Sequence, residues 1–313
     1  MPNANTLMTT TAGLSAGMIT TYNKALLKTF EPVLAHLRYG DEHPFPKNGG
    51  KKMSFRKLIP LEADATQLTE GEPGDPQLIA EIEVTTELAQ YGKYIQTTDL
   101  LDMTHFDLNI DRKVKLLGNQ GSLSMDHVVR DELATCTNVI YAGGKTSRAA
   151  LAAMDVLTSK DIRKAVRTLK NSLAQPFADG YYVALINPNV NYDLQDDEDW
   201  KKVSLYQERE NIHTGEVGKL YGCRLIESTE SKIFEGAGAD GADVASVIVL
   251  GQYAYGYSSL TGADPRVIVK PHGSAGTADP LDQLSTVGWK MDGFAVKLLQ
   301  PEYAVRIECG MSV

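Results

Sequence analysis

Lysine, serine, histidine, cysteine and carboxylate side chains could do chemistry here, and their spacing decides whether they do. Gly144-Lys145-Thr146 matches the end of the phosphate-cradling pattern G-x-x-x-x-G-K-[ST], but Val139 stands where its first glycine belongs. The residues before it continue a helical pattern rather than a strand, so Ala142–Arg148 reads as a helix terminus. Ser258 and Ser274 each miss the nucleophile elbow G-x-S-x-G by one glycine, replaced by Leu260 and His272. His272 lies between Pro271 and Gly273, which reads as a surface turn. The acidic run Asp193–Asp199 lacks the glycine of a calcium loop and reads as the solvated start of a helix, where the dipole favours carboxylates. Histidines 36, 43, 105, 127, 213 and 272 show no metal-ligand spacing. No catalytic, cofactor-binding or metal-ligating residue is assigned, and no cofactor is expected.

Composition narrows the classes further. With 42% apolar and 23% charged residues over 313 positions, the chain can bury a sizeable core. A net charge of −9 argues against wrapping a duplex, because backbone binding rests on Lys and Arg neutralising phosphates. Cys136, Cys223 and Cys309 are odd in number and far apart, so neither a disulfide framework nor a zinc ribbon is indicated and a reducing cytoplasm is expected. The first residues lack the basic and apolar regions of a signal peptide, and no apolar run is long enough to span a membrane.

The elements that would have to position any site are mixed α and β. Residues 1 to about 20 read as an arm, followed by a helical stripe from Met18 to Tyr39 that Pro32 kinks. Met53–Ile59 and Leu78–Thr86 read as a long hairpin with a Pro- and Gly-punctuated tip. In the second strand Ala80, Ile82 and Val84 alternate with Glu81, Glu83 and Thr85, as a half-buried strand requires. A helical stripe runs from Asn109 to about Tyr141, with Gly118 and Gly121 predicting a bend or break. Ser159–Leu173 reads as a second helix, its start marked by a capping-box variant of Thr158 and Asp161 and its outer face basic. Strands follow at Tyr182–Ile186, Leu220–Ile226, Val244–Leu250, Val267–Lys270, Phe294–Leu299 and Tyr303–Cys309. Two Gly-rich segments of mixed polarity, Tyr206–Thr229 and Asp279–Leu299, complete a chain of long arms without converging catalytic groups. That combination points to a protein whose product is an assembly.

The tip TEGEPGDP followed by LAQYGKYIQTTDLLD, the run VALINPNVNYDL, IHTGEVGKLYGCRLIEST and DPLDQLSTVGWKMDGFAVKLL together resemble the major capsid proteins of tailed phages, of the N-four-type podovirus family. The resemblance covers nearly the whole chain. It implies an α+β fold of the Hong Kong 97-type, with an N-terminal arm (1–45), an extended loop (50–92), a peripheral domain (93–150 and 285–313) including a spine helix (110–140), and an axial domain (151–284). It implies a structural protein, not an enzyme, that assembles with itself into hexameric and pentameric capsomers of an icosahedral head enclosing double-stranded DNA without specific binding. An acidic wall suits such a container, since weak attraction lets the polymer move. Scaffolding protein, portal and decoration protein are the further partners implied, with the virion, and the host cytoplasm during assembly, as locations; no membrane is involved.

Glu70, Gly71, Glu72 and Asp75 at the loop tip are expected as intersubunit contacts. So is Trp289, which reads equally as a core anchor or an interface hot spot. Two other classes fit less well: a cytosolic enzyme whose groups converge only in the fold, and an encapsulin-like compartment shell or other ring or tail component.

Overall fold

The computed structural model describes residues 35–59, 61–67, 76–104, 110–197, 200, 216–260 and 265–312. The strands are β1 (Asp41–Glu42), β2 (Lys52–Leu58), β3 (Glu81–Glu87), β4 (Ala89–Thr98), β5 (Val139–Tyr141), β6 (Tyr182–Ile186), β7 (Glu216–Leu220), β8 (Cys223–Glu227), β9 (Ile233–Phe234), β10 (Val244–Leu250), β11 (Tyr255–Ser259), β12 (Arg266–Lys270), β13 (Leu284–Leu298) and β14 (Ala304–Gly310). The helices are α1 (Asp99–Thr104), α2 (Ile110–Leu133), α3 (Ser159–Asn171) and α4 (Pro188–Gln195).

Two mixed sheets organise these elements. A seven-stranded sheet runs β5-β14-β10-β6-β8-β7, with β9 paired to β10. β10, VASVIVL, is buried at all seven positions because both faces of its sheet are covered. Its Val247 and Val249 enter a core with Ile162, Val166 and Leu169 of α3, while Ile248 and Leu250 enter a core with Val114, Val129 and Leu133 of α2. The two helices therefore flank opposite faces of one sheet. The five-stranded sheet is built on the 15-residue β13, which pairs with β4, β11 and β12, while β1 runs parallel to β11.

The long helix is unbroken across Gly118 and Gly121. Both glycines lie on its buried face, beside Val114, Leu117 and Met125, where tertiary packing offsets their weak propensity. It spans about 36 Å and ends at Leu133, short of the stripe that runs to about Tyr141. The shortfall arises because Val139–Tyr141 pairs in parallel with β14 instead of extending the helix.

Several other expectations shift. The acidic run begins inside a helix: Asn187 caps α4, accepting from the Asn189 amide at 3.0 Å, with Pro188 at the first helical position, and Trp200, just past the run, is helical again. Asp197 then caps a different helix, accepting from the Ser159 amide at 2.9 Å, while Thr158 donates to the Asp161 carboxylate at 2.7 Å. The span 285–313 divides between the sheets, β13 lying in the five-stranded sheet beside α2 and β14 in the seven-stranded one. Conversely β11 and β12, within the span expected to be axial, pair with β13. The helical stripe of the first 39 residues and most of the N-terminal arm lie outside the described residues.

Candidate functional site

The hairpin of β2 and β3 is the most unusual surface of the subunit. Its strands pair antiparallel from Lys52↔Glu87 to Leu58↔Glu81, as their alternation requires, but as a two-stranded sheet of their own. Such a ribbon is at best marginally stable in water. It is tied to the body by Lys57, near the far end of the ribbon, whose Nζ lies 3.2 Å from Glu302 Oε2 and 5.7 Å from the centre of the Tyr303 ring, and by an edge contact of Phe55 with His43. Burial works to raise the Glu302 pKa, but its own backbone amide and Lys57 bring the carboxyl below its ordinary range.

Beyond those contacts the apolar side chains of the hairpin are exposed. Leu78 is 89% exposed and Ile82 46%, and Leu58, Ile59, Leu61 and Ile79 are exposed too. Of the expected half-buried face, Val84 alone is partly covered among the described residues, while Ala80 and Ile82 are exposed. A contiguous group of large apolar side chains of this kind marks a surface that another molecule covers. The tip residues Glu70, Gly71, Glu72 and Asp75 lie outside the described residues.

Trp289 sits elsewhere, in the core beneath α2, only 3% exposed. Its indole N–H donates to Gln120 Oε1 at 2.6 Å, so it fixes the long helix on β13 from inside the subunit. Of the two readings of Trp289, this placement is that of a core anchor.

At the start of the described chain, a buried polar joint holds residue 36. The His36 amide donates to Asp126 Oδ1 at 2.9 Å, and His36 Nδ1 lies 2.6 Å from Oδ2 of the same carboxylate in the middle of α2. The Tyr255 hydroxyl donates to the His36 carbonyl, and burial pushes its pKa well above the ordinary value. Residue 36 is thereby fastened both to α2 and to β11. Ninety residues separate His36 from Asp126, so no local pattern announces the joint.

Two further polar clusters tie elements together. Lys113, buried at the start of α2, donates to Asp102 at 2.7 Å and to Thr97 at 3.0 Å. The other Asp102 oxygen lies 3.2 Å from His272 Nε2 and accepts from Ser285 at 3.2 Å. Burial works to raise the Asp102 pKa, yet the bonds from Lys113 and His272 and the Lys113 charge hold it below the usual range. In β14, Glu308 is fully buried and bound bidentately by Arg148, Nε to Oε2 at 2.8 Å and Nη2 to Oε1 at 2.6 Å. Arg306 Nε lies 2.9 Å from Oε1 as an ion pair without hydrogen-bond alignment.

The near-miss motifs are occupied by ordinary structure. Lys145 reaches towards Asp155 at 3.7 Å from a turn in which Gly143 and Gly144 have positive φ. A short strand, β5, does precede that turn, contrary to the helical expectation. Ser258 is buried and donates to the His43 carbonyl at 2.7 Å. His272 contacts Asp102, not Ser274. All three cysteines are free and buried, and burial raises each thiol pKa, so none is poised as a nucleophile. Among the described residues no group of His, Cys, Asp and Glu is arranged to hold a metal, and no helix is long and apolar enough to cross a membrane.

A family model described as phage capsid protein matches residues 108–274. No curated protein sequence matches the chain. Among solved structures, the capsid of Ralstonia phage GP4 is similar at a TM-score of 0.70, with 15% identity over 91% of each chain. The capsid asymmetric unit of cyanophage Pam1 gives 0.69, with 13% identity over 90% of this chain and 92% of that one. A virus-like particle from Pyrococcus furiosus gives 0.53, with 12% identity over 93% and 99%.

Proposed function

The chain belongs to the phage capsid protein family, and from that premise we propose that its subunits form hexameric and pentameric capsomers of an icosahedral head, held together across their uncovered hairpins. It is a structural major capsid protein of Hong Kong 97-type fold, a component of the virion. The narrower kinship with N-four-type podoviruses belongs to the proposal.

The observation that carries the mechanism is the hairpin. Its apolar side chains are exposed among the described residues of the subunit, and a neighbouring copy covers them in the shell. Many such contacts, each weak, sum to a stable closed shell by multivalency and symmetry. The tip, Glu70 to Asp75, would make part of that contact. We assign the five-stranded sheet with α2 to the peripheral domain and the seven-stranded sheet to the axial domain, which places β14 in the latter. The buried His36 joint would give residues 1–34 a fixed point from which to reach neighbours. The assembled shell would enclose double-stranded DNA without specific binding, with scaffolding protein, portal and decoration protein as partners and the host cytoplasm as the place of assembly.

The similarity to the Pyrococcus furiosus particle concerns fold alone, and the family match favours the phage head over a compartment shell. Light scattering of the purified protein, alone and with the scaffolding protein of the same phage, tests the reading. Particles of megadalton mass are expected, whereas a 34.1 kDa monomer under both conditions contradicts it.

A further inference from the structure

Helix α3 presents a face that does not fit an acidic protein. Lys160, Arg163, Lys164, Arg167 and Lys170 crowd its outer surface, and its one carboxylate, Asp161, is buried and bound to Lys164 at 2.9 Å. Like charges at three- and four-residue spacing repel, so the stripe costs the isolated subunit stability. The patch is also partly apolar. Arg163 lies 5.1 Å from the centre of the Tyr221 ring, and Leu173, just past the helix, is 81% exposed.

The complementary surface belongs to the same sequence. Between Leu58 and Gly92 the chain carries eight carboxylates and no Lys, Arg or His. The described part of this stretch that extends the hairpin exposes Leu58, Ile59, Ile82, Glu62 and Glu81. Both surfaces combine apolar side chains with charge, and the charges are opposite.

We infer that the basic face of α3 is a docking surface for the acidic, apolar hairpin of a second copy of this chain. The inference rests on the self-assembly proposed above. Opposite potentials steer the encounter and set the register, while the apolar side chains are removed from water. Self-pairing also explains why the basic patch persists in a chain of net charge −9: its anionic partner is carried by every other copy.

Charge exchange tests this. The pair Arg163→Glu with Arg167→Glu alters exposed side chains and places carboxylates among the remaining lysines, so the melting temperature of the unassembled subunit should not fall. Shell yield, counted by electron microscopy against wild-type shells and a Lys47→Glu control prepared in parallel, should fall at least about tenfold because each contact recurs throughout the shell. The pair Glu62→Lys with Glu81→Lys should be equally deficient, and the four substitutions together should restore shells. Wild-type shell yield from the Arg163/Arg167 pair overturns the inference. If those shells in addition retain packaged DNA poorly, the face binds phosphates instead. Loss of shells that the exchange does not restore also overturns the hairpin as partner. Wild-type shells in the same experiment separate any of these results from failure of the capsid reading itself.

Discussion

Replacing Arg148 by Met should destabilise the subunit far more than a half-exposed arginine ordinarily does, because it strands a carboxylate. Glu308 has no solvent access, and both oxygens accept from Arg148 at 2.8 and 2.6 Å. Arg148 is itself about a third exposed. Removing one partner of a buried pair costs about 3–5 kcal/mol. Arg306 remains 2.9 Å from one oxygen, so the lower end, about 3 kcal/mol, is expected here. For 313 residues at about 2.1 cal/mol/K of unfolding entropy each, that lowers the melting temperature by about 5 °C. If an uncompensated charge is the cause, neutralising it helps: Arg148→Met with Glu308→Gln should regain about 2 °C, since a neutral amide costs less to leave buried without its partner than a carboxylate does. Calorimetry of the unassembled subunit measures both variants. A double variant no more stable than Arg148→Met alone refutes the reasoning and assigns the loss to packing over Phe234, whose ring centre lies 3.5 Å from the Arg148 guanidinium.

Asp126→Ala removes the acceptor of both His36 bonds inside the core and should cost about 2–3 kcal/mol. Hydrogen exchange over residues 36–45 should rise more than over β10, and uniform acceleration would mean that the joint does not hold the arm locally. Asp102 has a depressed pKa, so it contributes stability above its unfolded value, near 3.9, that is lost as pH falls through the folded one. Lys113→Met should therefore flatten the dependence of stability on pH below about 4, as read from urea midpoints, and an unaltered slope would contradict this assignment.

What was legible in the sequence was legible for local reasons. The hairpin strands alternate, β10 is an uninterrupted apolar run, and α3 has one apolar stripe between clear boundaries. What was missed depends on partners distant in the chain. The stripe running to residue 141 continues a helical period, yet β14 draws Val139–Tyr141 into a sheet. The strands β4 and β11, rich in Gly, Tyr and polar residues, carry weak patterns and form because β13 offers them an edge. Nothing local in the acidic run announces that Asp197 caps a helix beginning 38 residues earlier. Trp289 was ambiguous because burial within a subunit and burial between subunits select the same residue type. The joint of His36, Asp126 and Tyr255 joins three segments that share no local signal.

Electron microscopy of the purified protein, expressed alone and with its scaffolding protein, tests the central claim most directly. Uniform closed shells are predicted, with the β2–β3 hairpin of each subunit lying against a neighbour and its apolar side chains covered. Shells in which the hairpins stay free in solvent would contradict the account of what holds them together, and dispersed monomers under both conditions would contradict the assembly itself.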